Sequence, residues 1–160
     1  MRSRAGIVSF VALILLVSAG AVLLSSCGGR GKGGGRPDLL GADITLNEGS
    51  YAIGEPIVMT LTVISKADRT ITLNFPTAQR YDFIVKKGKR TVWRWSASRM
   101  FAQVAGKYEI APGDTLSYQH TWDQTTSDGT KPELGAYTIE GLLMLSPPFR
   151  VGPKTFGIVD

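Results

Sequence analysis

The chain has 160 residues, of which 43% are hydrophobic and 19% charged, and this composition is typical of one globular domain rather than two domains or a disordered polymer. It contains one cysteine and one histidine, so a disulfide framework or a Cys/His zinc site lacks the residues it needs. Any histidine-dependent mechanism would rest on His120 alone. An enzyme is therefore the less favoured class, and we expect no catalytic residues, no metal site and no cofactor.

The net charge of +5 is unevenly distributed along the chain. Residues 37–160 contain 13 basic and 13 acidic side chains and are formally neutral. The excess lies entirely near the N-terminus, at Arg2, Arg4, Arg30, Lys32 and Arg36. Because a nucleic-acid-binding domain carries its positive charge on the surface that meets phosphate, we expect no nucleic-acid partner, and the basic tail favours a membrane surface.

An export signal is predicted over residues 1–26. A short basic segment, residues 1–4, precedes an apolar run over residues 5–24, and Leu24-Ser25-Ser26-Cys27 follows. This pattern of an aliphatic residue, two small residues and a cysteine resembles the lipobox of bacterial lipoproteins. In a lipobox, the thiol of the cysteine is modified with a diacylglyceryl group. Two alternatives remain, an uncleaved anchor helix and ordinary secretory cleavage after Ala19-Gly20-Ala21. Neither of them explains why the only cysteine lies at this position.

Residues 27–36 are predicted to be the lipidated cysteine and a tether, because the stretch after Cys27 is mostly glycine and cannot bury a core. A flexible coil of this length reaches about 17 Å. We expect an exported protein in the cell envelope, with the lipid bilayer as a partner through the acylated Cys27. In a diderm cell, we expect the anchor to lie in the outer membrane, because the residue after the cysteine is a glycine. In a monoderm cell, the protein would be anchored on the cell surface.

The rest of the chain, residues 37–160, alternates apolar and polar residues with a period of two, which is typical of strands with one buried face. Turn residues separate these runs at short intervals. We expect an all-β domain, an antiparallel immunoglobulin-like β-sandwich of about seven or eight strands, with a closed barrel as the alternative. The clearest alternating runs are residues 57–63, 71–75, 81–85, 116–122, 137–145 and 156–158, and the turns are expected at residues 47–49, 66–68, 87–89, 111–114 and 127–130.

Three motifs in the middle of this domain occur in a fixed order. They are F-P-x-x-Q-x-Y-D-F at residues 75–83, W-x-W-S-x-x-R-M-F at residues 93–101 and I-A-P-G-D at residues 110–114. Together they resemble the BsuPI family, a bacterial intracellular proteinase inhibitor domain, over about residues 51–143. The resemblance implies an immunoglobulin-like all-β domain associated with inhibition of serine proteinases. The expected partner is a serine proteinase, and the alternative is another envelope protein held by a non-catalytic interaction module.

The second motif supplies the candidate partner-binding residues, Arg94, Arg99, Met100 and Phe101. Arginine and aromatic residues contribute much of the binding energy at the centres of interfaces. Residues 96–107 are predicted to form an exposed loop that carries the last three toward a partner. Arg94 alternates with two tryptophans and should point to the opposite face, where a structural salt bridge or aromatic stacking is the alternative. Residues 125–132 form a second candidate loop.

Other polar and aromatic residues have simpler structural interpretations. His120 shares a face with Trp122, which indicates a partly buried histidine rather than a ligand or base. Trp93 and Trp95 are expected on one strand face, where core packing is favoured over a ligand platform. The scattered aspartates lack the spacing of a calcium loop and are interpreted as turn-stabilising residues. They are Asp82, Asp114, Asp123 and Asp128.

Overall fold

A computed structural model of the protein describes residues 37–160, and the signal, the lipidated Cys27 and the tether predicted before them lie outside the described residues. Within the described part, no helix is long and apolar enough to cross a membrane. Short 3-10 helices occupy Pro37–Leu39 and Trp95–Ser98. The strands are β1 (Leu40–Leu46), β2 (Ser50–Ala52), β3 (Ile57–Ser65), β4 (Ile71–Phe75), β5 (Tyr81–Lys87), β6 (Arg90–Arg94), β7 (Gly106–Ile110), β8 (Thr115–Trp122), β9 (Gly135–Leu143) and β10 (Phe149–Val159).

The strands form two principal sheets. One has the order β1-β3-β8 and the other β2-β10-β9-β5-β6, and β4 and β7 pair separately. The β4–β7 pair continues the β3–β8 ladder beyond a break, where Ser65 N donates to Asp114 O at 2.9 Å and Gly113 N donates to Ser65 O at 3.1 Å. Every pairing is antiparallel except β2 with β10. The predicted β-sandwich is confirmed, and because each of these sheets ends in edge strands, the barrel alternative is wrong.

The described residues contain ten strands rather than seven or eight, because β1, β2 and β7 were not predicted. The alternation used for prediction is nevertheless present where one sheet face is buried. In β3 it places Ile57, Met59, Leu61 and Val63 in the core with no exposed surface. Burying an aliphatic side chain of this size contributes roughly 1.5–3 kcal/mol, so these strands hold the two sheets together.

One glycine of β9 allows the sheets to approach closely. A Cβ placed on Gly141 would lie 3.1 Å from Leu61 Cδ1 and 3.4 Å from Ile44 Cδ1, which belong to the facing sheet. Most real Cβ contacts are longer, so a side chain here would force these neighbours apart. The glycine therefore matches the tight packing between the centres of the two sheets.

Strand β5 is buried on both faces along its middle. It lies between β9 and β6, and four consecutive residues, Asp82 to Val85, are buried. Phe83 and Val85 belong to the core cluster, whereas Asp82 points away from them. A fully buried carboxylate in a central strand needs several hydrogen-bond donors, and these come from β5 itself, from the end of β6 and from the residues that follow β6.

Candidate partner-binding site

Asp82 joins the first two sequence motifs. Its side chain has no exposed surface, and its Oδ2 accepts hydrogen bonds from Arg94 Nε at 2.6 Å and Ser96 Oγ at 2.7 Å. Its Oδ1 accepts from the backbone N–H groups of Ser96 at 3.1 Å and Phe83 at 3.0 Å. Four donors around one carboxylate fix the position where β6 ends and the chain turns into the second 3-10 helix. The direction in which the following loop leaves the domain is thereby set.

A row of aromatic rings lies on the other side of the same segment. The Trp95 ring stacks on Tyr81 with centroids 4.4 Å apart, and Tyr81 stacks on Tyr118 at 4.7 Å. Trp93 stacks on His120 at 5.6 Å with an interplanar angle of 9°. This aromatic row joins β5, β6 and the 3-10 helix of one side of the sandwich to β8 of the other. It consists of Tyr81, Trp93, Trp95, Tyr118, His120 and Trp122.

Trp93 and Trp95 pack against the hydrophobic core, which is the role that the sequence analysis favoured for them. Trp93 lies in β6, but Trp95 belongs to the 3-10 helix, so the expectation that both lie in one strand is wrong. The helix begins because Ser96 bonds to Asp82 and turns the backbone out of the ladder. Both rings remain partly exposed, so the row forms a visible aromatic surface as well as part of the core.

The loop after this helix presents three of the predicted residues together. Arg99 has an extended backbone (φ −121°, ψ 144°), and its Cζ lies 4.6 Å from the centroid of the Trp95 ring. The Phe101 ring lies 5.6 Å from Trp95, and Ala102 O accepts a hydrogen bond from Ala78 N at 3.0 Å. Between these anchors the side chain of Met100 is 100% exposed. The segment over residues 97–105 is exposed except for the half-buried Phe101, and it ends where β7 begins, within the predicted range of 96–107.

Arg94 lies apart from the other three candidates. Its guanidinium pairs with Asp82, and 43% of its side chain is exposed. Arg94 was expected to point away from the tryptophans, and its pairing with Asp82 agrees with this. The structural salt bridge that the sequence analysis gave as the alternative role of Arg94 is therefore present. A direct role of Arg94 in partner binding stays a prediction.

The electrostatics of the aromatic row are set by burial and two arginines. Burial lowers the pKa of His120, and the positive charge of Arg99 lowers it further, against a smaller opposing effect of Asp123. Burial raises the pKa of Tyr81, and the positive charge of Arg99 opposes this rise. Burial also raises the pKa of Tyr118, and there the positive charge of Arg80 opposes the rise. At neutral pH the rings are therefore uncharged and the adjacent guanidinium groups carry positive charge. The expected partly buried histidine is confirmed by its packing on Trp93.

The second candidate loop, residues 125–132, is held by its own turn. Asp128 accepts hydrogen bonds from the Thr126 hydroxyl and, at 2.7 Å, from the Thr130 hydroxyl, which lower the pKa of Asp128 to about 2. Ser127 N donates to Val92 O at 2.9 Å, so the loop covers the edge of β6. These contacts give the loop a structural role along β6. Its exposed tip, residues 127–131, contains no large apolar side chain.

Three of the four scattered aspartates occupy turns, as predicted. Asp114 accepts from Ala111 N at 3.2 Å, Asp123 from Thr125 N at 2.9 Å, and Asp128 closes the turn already described. Asp82 is the exception, because it lies in β5 and anchors another segment. Within residues 37–160 no three His, Cys, Asp or Glu side chains come together as a metal site would require.

Sequence reasoning missed one buried polar residue, Gln124. Its side chain donates from Nε2 to Ala52 O and Glu55 O, both at 2.8 Å, and its Oε1 accepts from Gly54 N at 2.8 Å. It has no exposed surface and a left-handed backbone with φ 61°. A polar residue after a strand normally signals a loop, and nothing local distinguishes this one.

Comparison with known proteins adds a family match. The family model described as BsuPI, intracellular proteinase inhibitor, matches residues 44–147. No curated protein matches the chain.

Several solved structures are similar in part, all at low identity. The alkylpurine DNA glycosylase AlkC of Pseudomonas fluorescens is 13% identical with a TM-score of 0.48, covering 76% of this chain and 31% of that protein. The sporulation control protein Spo0M of Bacillus subtilis is 15% identical with a TM-score of 0.46, covering 76% and 50%. A β-glucosidase of Erythrobacter marinus is 14% identical with a TM-score of 0.45, covering 75% and 15%. The chain thus spans half or less of each of these proteins, and the similarities carry no functional conclusion.

Proposed function

The chain belongs to the BsuPI family, a family of proteinase inhibitors by description, and from this premise we propose that it binds a serine proteinase through the loop over residues 99–105. Met100 would enter the specificity pocket of the proteinase, with Arg99 and Phe101 beside it. The observation that carries the proposal is the complete exposure of Met100 between two anchored points of the loop.

The geometry of the loop supports an inhibitor more than a substrate. An inhibitor loop gains affinity when its bound conformation exists before binding, because less conformational entropy is lost. Ser96 is hydrogen-bonded to Asp82 before the loop, and Ala102 accepts a hydrogen bond from Ala78 after its apex. Arg99 already has the extended backbone that proteinase clefts bind. An ordinary substrate segment would have to pay this ordering cost on binding.

The exposed side chain also indicates which proteinases to expect. An unbranched thioether is apolar and adaptable, and it fits the apolar pockets of chymotrypsin-like and subtilisin-like enzymes. It does not supply the cation that trypsin-like pockets bind. We therefore expect inhibition of the first two classes and weak or no inhibition of the third.

A titration of the full chain in detergent against one proteinase of each class tests the proposal. We expect inhibition constants of about 1 µM or lower for the apolar-pocket enzymes. Met100→Asp should weaken inhibition at least about thirtyfold, as loss of a central contact does. Met100→Lys should move inhibition toward the trypsin-like enzyme. Both variants should fold normally, because the Met100 side chain contacts solvent only.

Val104→Asp is the matched control, because Val104 lies in the same loop and is 66% exposed but lies beyond the Phe101 and Ala102 anchors. It should leave inhibition nearly unchanged. The proposal fails if the unaltered chain inhibits none of the three classes at about 50 µM, a concentration well above specific affinities. Equal effects of Met100→Asp and Val104→Asp would also contradict it. In either case, capture of a different envelope protein becomes the better hypothesis.

The proposal includes a location. The lipobox at residues 24–27 supports export and anchoring through an acylated Cys27, and the tether after it would hold the domain close to the bilayer. An anchored inhibitor would meet proteinases outside the cytoplasm, at the envelope.

A further inference from the structure

The outer edge of β7 has no neighbouring strand. β7 pairs with β4 on one side, and in the part of the chain that the structure describes no backbone hydrogen bond joins residues 106–110 to any residue outside β4. Successive residues of an antiparallel strand direct their N–H and C=O groups alternately to its two sides, so the outer edge of β7 carries unused donors and acceptors. Such an edge is a template for a further strand.

The exposure of β7 agrees with an open edge. Three consecutive residues, Lys107, Tyr108 and Glu109, are exposed, and Tyr108 is 46% exposed. A strand that is covered on one face alternates between buried and less buried residues, as β3 does. β7 loses this alternation, because neither of its faces is covered at these three positions. A partner strand can therefore reach the edge without displacing another part of the domain.

Two opposite charges on this edge strand have no partner. Lys107 and Glu109 are two positions apart, so their side chains lie on the same face of β7. Neither forms an ion pair or a side-chain hydrogen bond among residues 37–160, whereas the strand charges of β5 and β9 pair with each other. A lysine on an edge strand normally discourages further pairing. Here a glutamate on the same face supplies the opposite charge.

These two charges select one register for pairing with an identical strand. When two copies of β7 pair antiparallel about a two-fold axis through Tyr108, Lys107 of each copy lies directly opposite Glu109 of the second copy. An axis through Lys107 or through Glu109 would place like charges opposite each other, which destabilises a sheet. In the first register, the two Tyr108 rings also lie side by side on the other face, where they cover part of each other's exposed surface.

We propose that β7 pairs with β7 of a second copy of this chain, so that two β4–β7 pairs join into one four-stranded sheet. The occupant is a second copy because the charge pattern of β7 is complementary to itself. Pairing over the five residues of β7 makes a small interface, so the dimer is weak and depends on concentration. The loop over residues 99–105 takes no part in it, so this proposal goes beyond proteinase inhibition and does not rest on it.

Cysteine cross-linking of the full chain in detergent micelles tests the pairing. Directly opposite residues of an antiparallel ladder have Cα atoms about 4.5–5.5 Å apart, within the range of a disulfide. In a Cys27→Ala background, where the introduced thiol is the only one, Tyr108→Cys should form a covalent dimer on mild oxidation. Ser117→Cys is the control, because Ser117 is exposed in β8, and it should remain monomeric. A monomeric Tyr108→Cys chain, or equal dimer yields from both variants, would overturn the proposal.

Charge variants of the Tyr108→Cys chain then test the register. Lys107→Glu or Glu109→Lys alone places like charges opposite each other at two positions, and each should lower the dimer yield at least about fivefold. A mixture of these two variants restores opposite charges at both positions. It should form a mixed dimer in high yield, which ion exchange separates from the symmetric dimers. This recovery also shows that both variants are folded.

Two results of the charge experiment would contradict the proposal. One is an unchanged dimer yield in both single charge variants, and the other is a mixture that yields no more dimer than the single variants do. Met100→Asp in the Tyr108→Cys chain should leave cross-linking intact, whether or not the protein inhibits a proteinase. The outcome for the dimer is therefore separate from the outcome for inhibition.

Discussion

At the scale of single residues, His120 couples the aromatic row to pH. It is the only histidine of the chain, and its ring stacks on Trp93 and makes an edge contact with Trp95. Burial, then the charge of Arg99, lower the pKa of His120 from its ordinary value of 6.5. Below that value the unfolded chain binds a proton that the folded chain resists. Folding stability should therefore fall as pH drops below about 6.5 toward the lower folded pKa, and should be unaffected by His120 above it.

Urea unfolding between pH 7.5 and 5.5 measures this effect. The free energy of unfolding should fall less between pH 7.5 and pH 5.5 in His120→Gln than in the unaltered chain. This difference holds whether or not the substitution changes stability at neutral pH. Arg99→Gln should raise the pKa of His120 in an NMR titration, because it removes a neighbouring positive charge. Identical pH profiles in the unaltered chain and in His120→Gln would show that the imidazole is not responsible.

At the scale of structural elements, the junction of β5, β6 and the second 3-10 helix depends on Asp82. Asp82→Asn should lower the free energy of unfolding by about 2–3 kcal/mol, since a buried network loses its charge and an acceptor. Arg94→Gln should cost less, no more than about 1 kcal/mol, because Arg94 is the partly exposed member of the pair and Asp82 keeps its other three hydrogen-bond donors. Equilibrium urea denaturation measures both. Equal costs would mean that the ion pair, rather than the buried carboxylate, organises the junction.

The same junction shows what the sequence could and could not predict. Alternation identified β3, β8 and β9 because one face of each is turned toward the core and is less exposed than the other, although in β8 only Trp122 is fully buried. It missed β1, whose burial pattern is irregular although it has seven residues, β2, which has three residues, and β7, in which Ile110 alone is buried. These strands owe their pairing to their neighbours, so their own residues carry little periodic signal.

The candidate site was predictable to a similar extent. Arg99, Met100 and Phe101 could be placed on an exposed loop because small and polar residues follow them before the next strand. The pairing of Arg94 with Asp82 could not, since it spans 12 residues across a register shift between Val85 and Lys86. Gln124 binds backbone groups about 70 positions away. Such contacts depend on the tertiary fold.

At the scale of the whole molecule, charge and chemistry are divided along the chain. Residues 37–160 are formally neutral and contain the fold and the loop over residues 99–105. The positive charge and the single cysteine lie before them. A neutral domain gains nothing from an anionic bilayer by electrostatics, whereas a basic segment gains about 1 kcal/mol for each residue close to the lipid. If the protein acts at a membrane, the N-terminal segment must supply the attachment.

The whole-molecule prediction therefore concerns Cys27. Protein recovered from membranes should begin at Cys27 and carry a diacylglyceryl group on its sulfur, and intact mass spectrometry of the mature N-terminus measures both. Cys27→Ala should keep residues 1–26, because processing of a lipobox depends on the thiol. Ser25→Ala keeps the thiol and a small residue at its position, and it is the control for a neighbouring change. A mature chain that begins after Ala21 with an unmodified cysteine would instead indicate ordinary secretion. The basic residues at 30, 32 and 36 would then have no acyl anchor beside them, and their attraction to lipid alone is too weak for stable attachment.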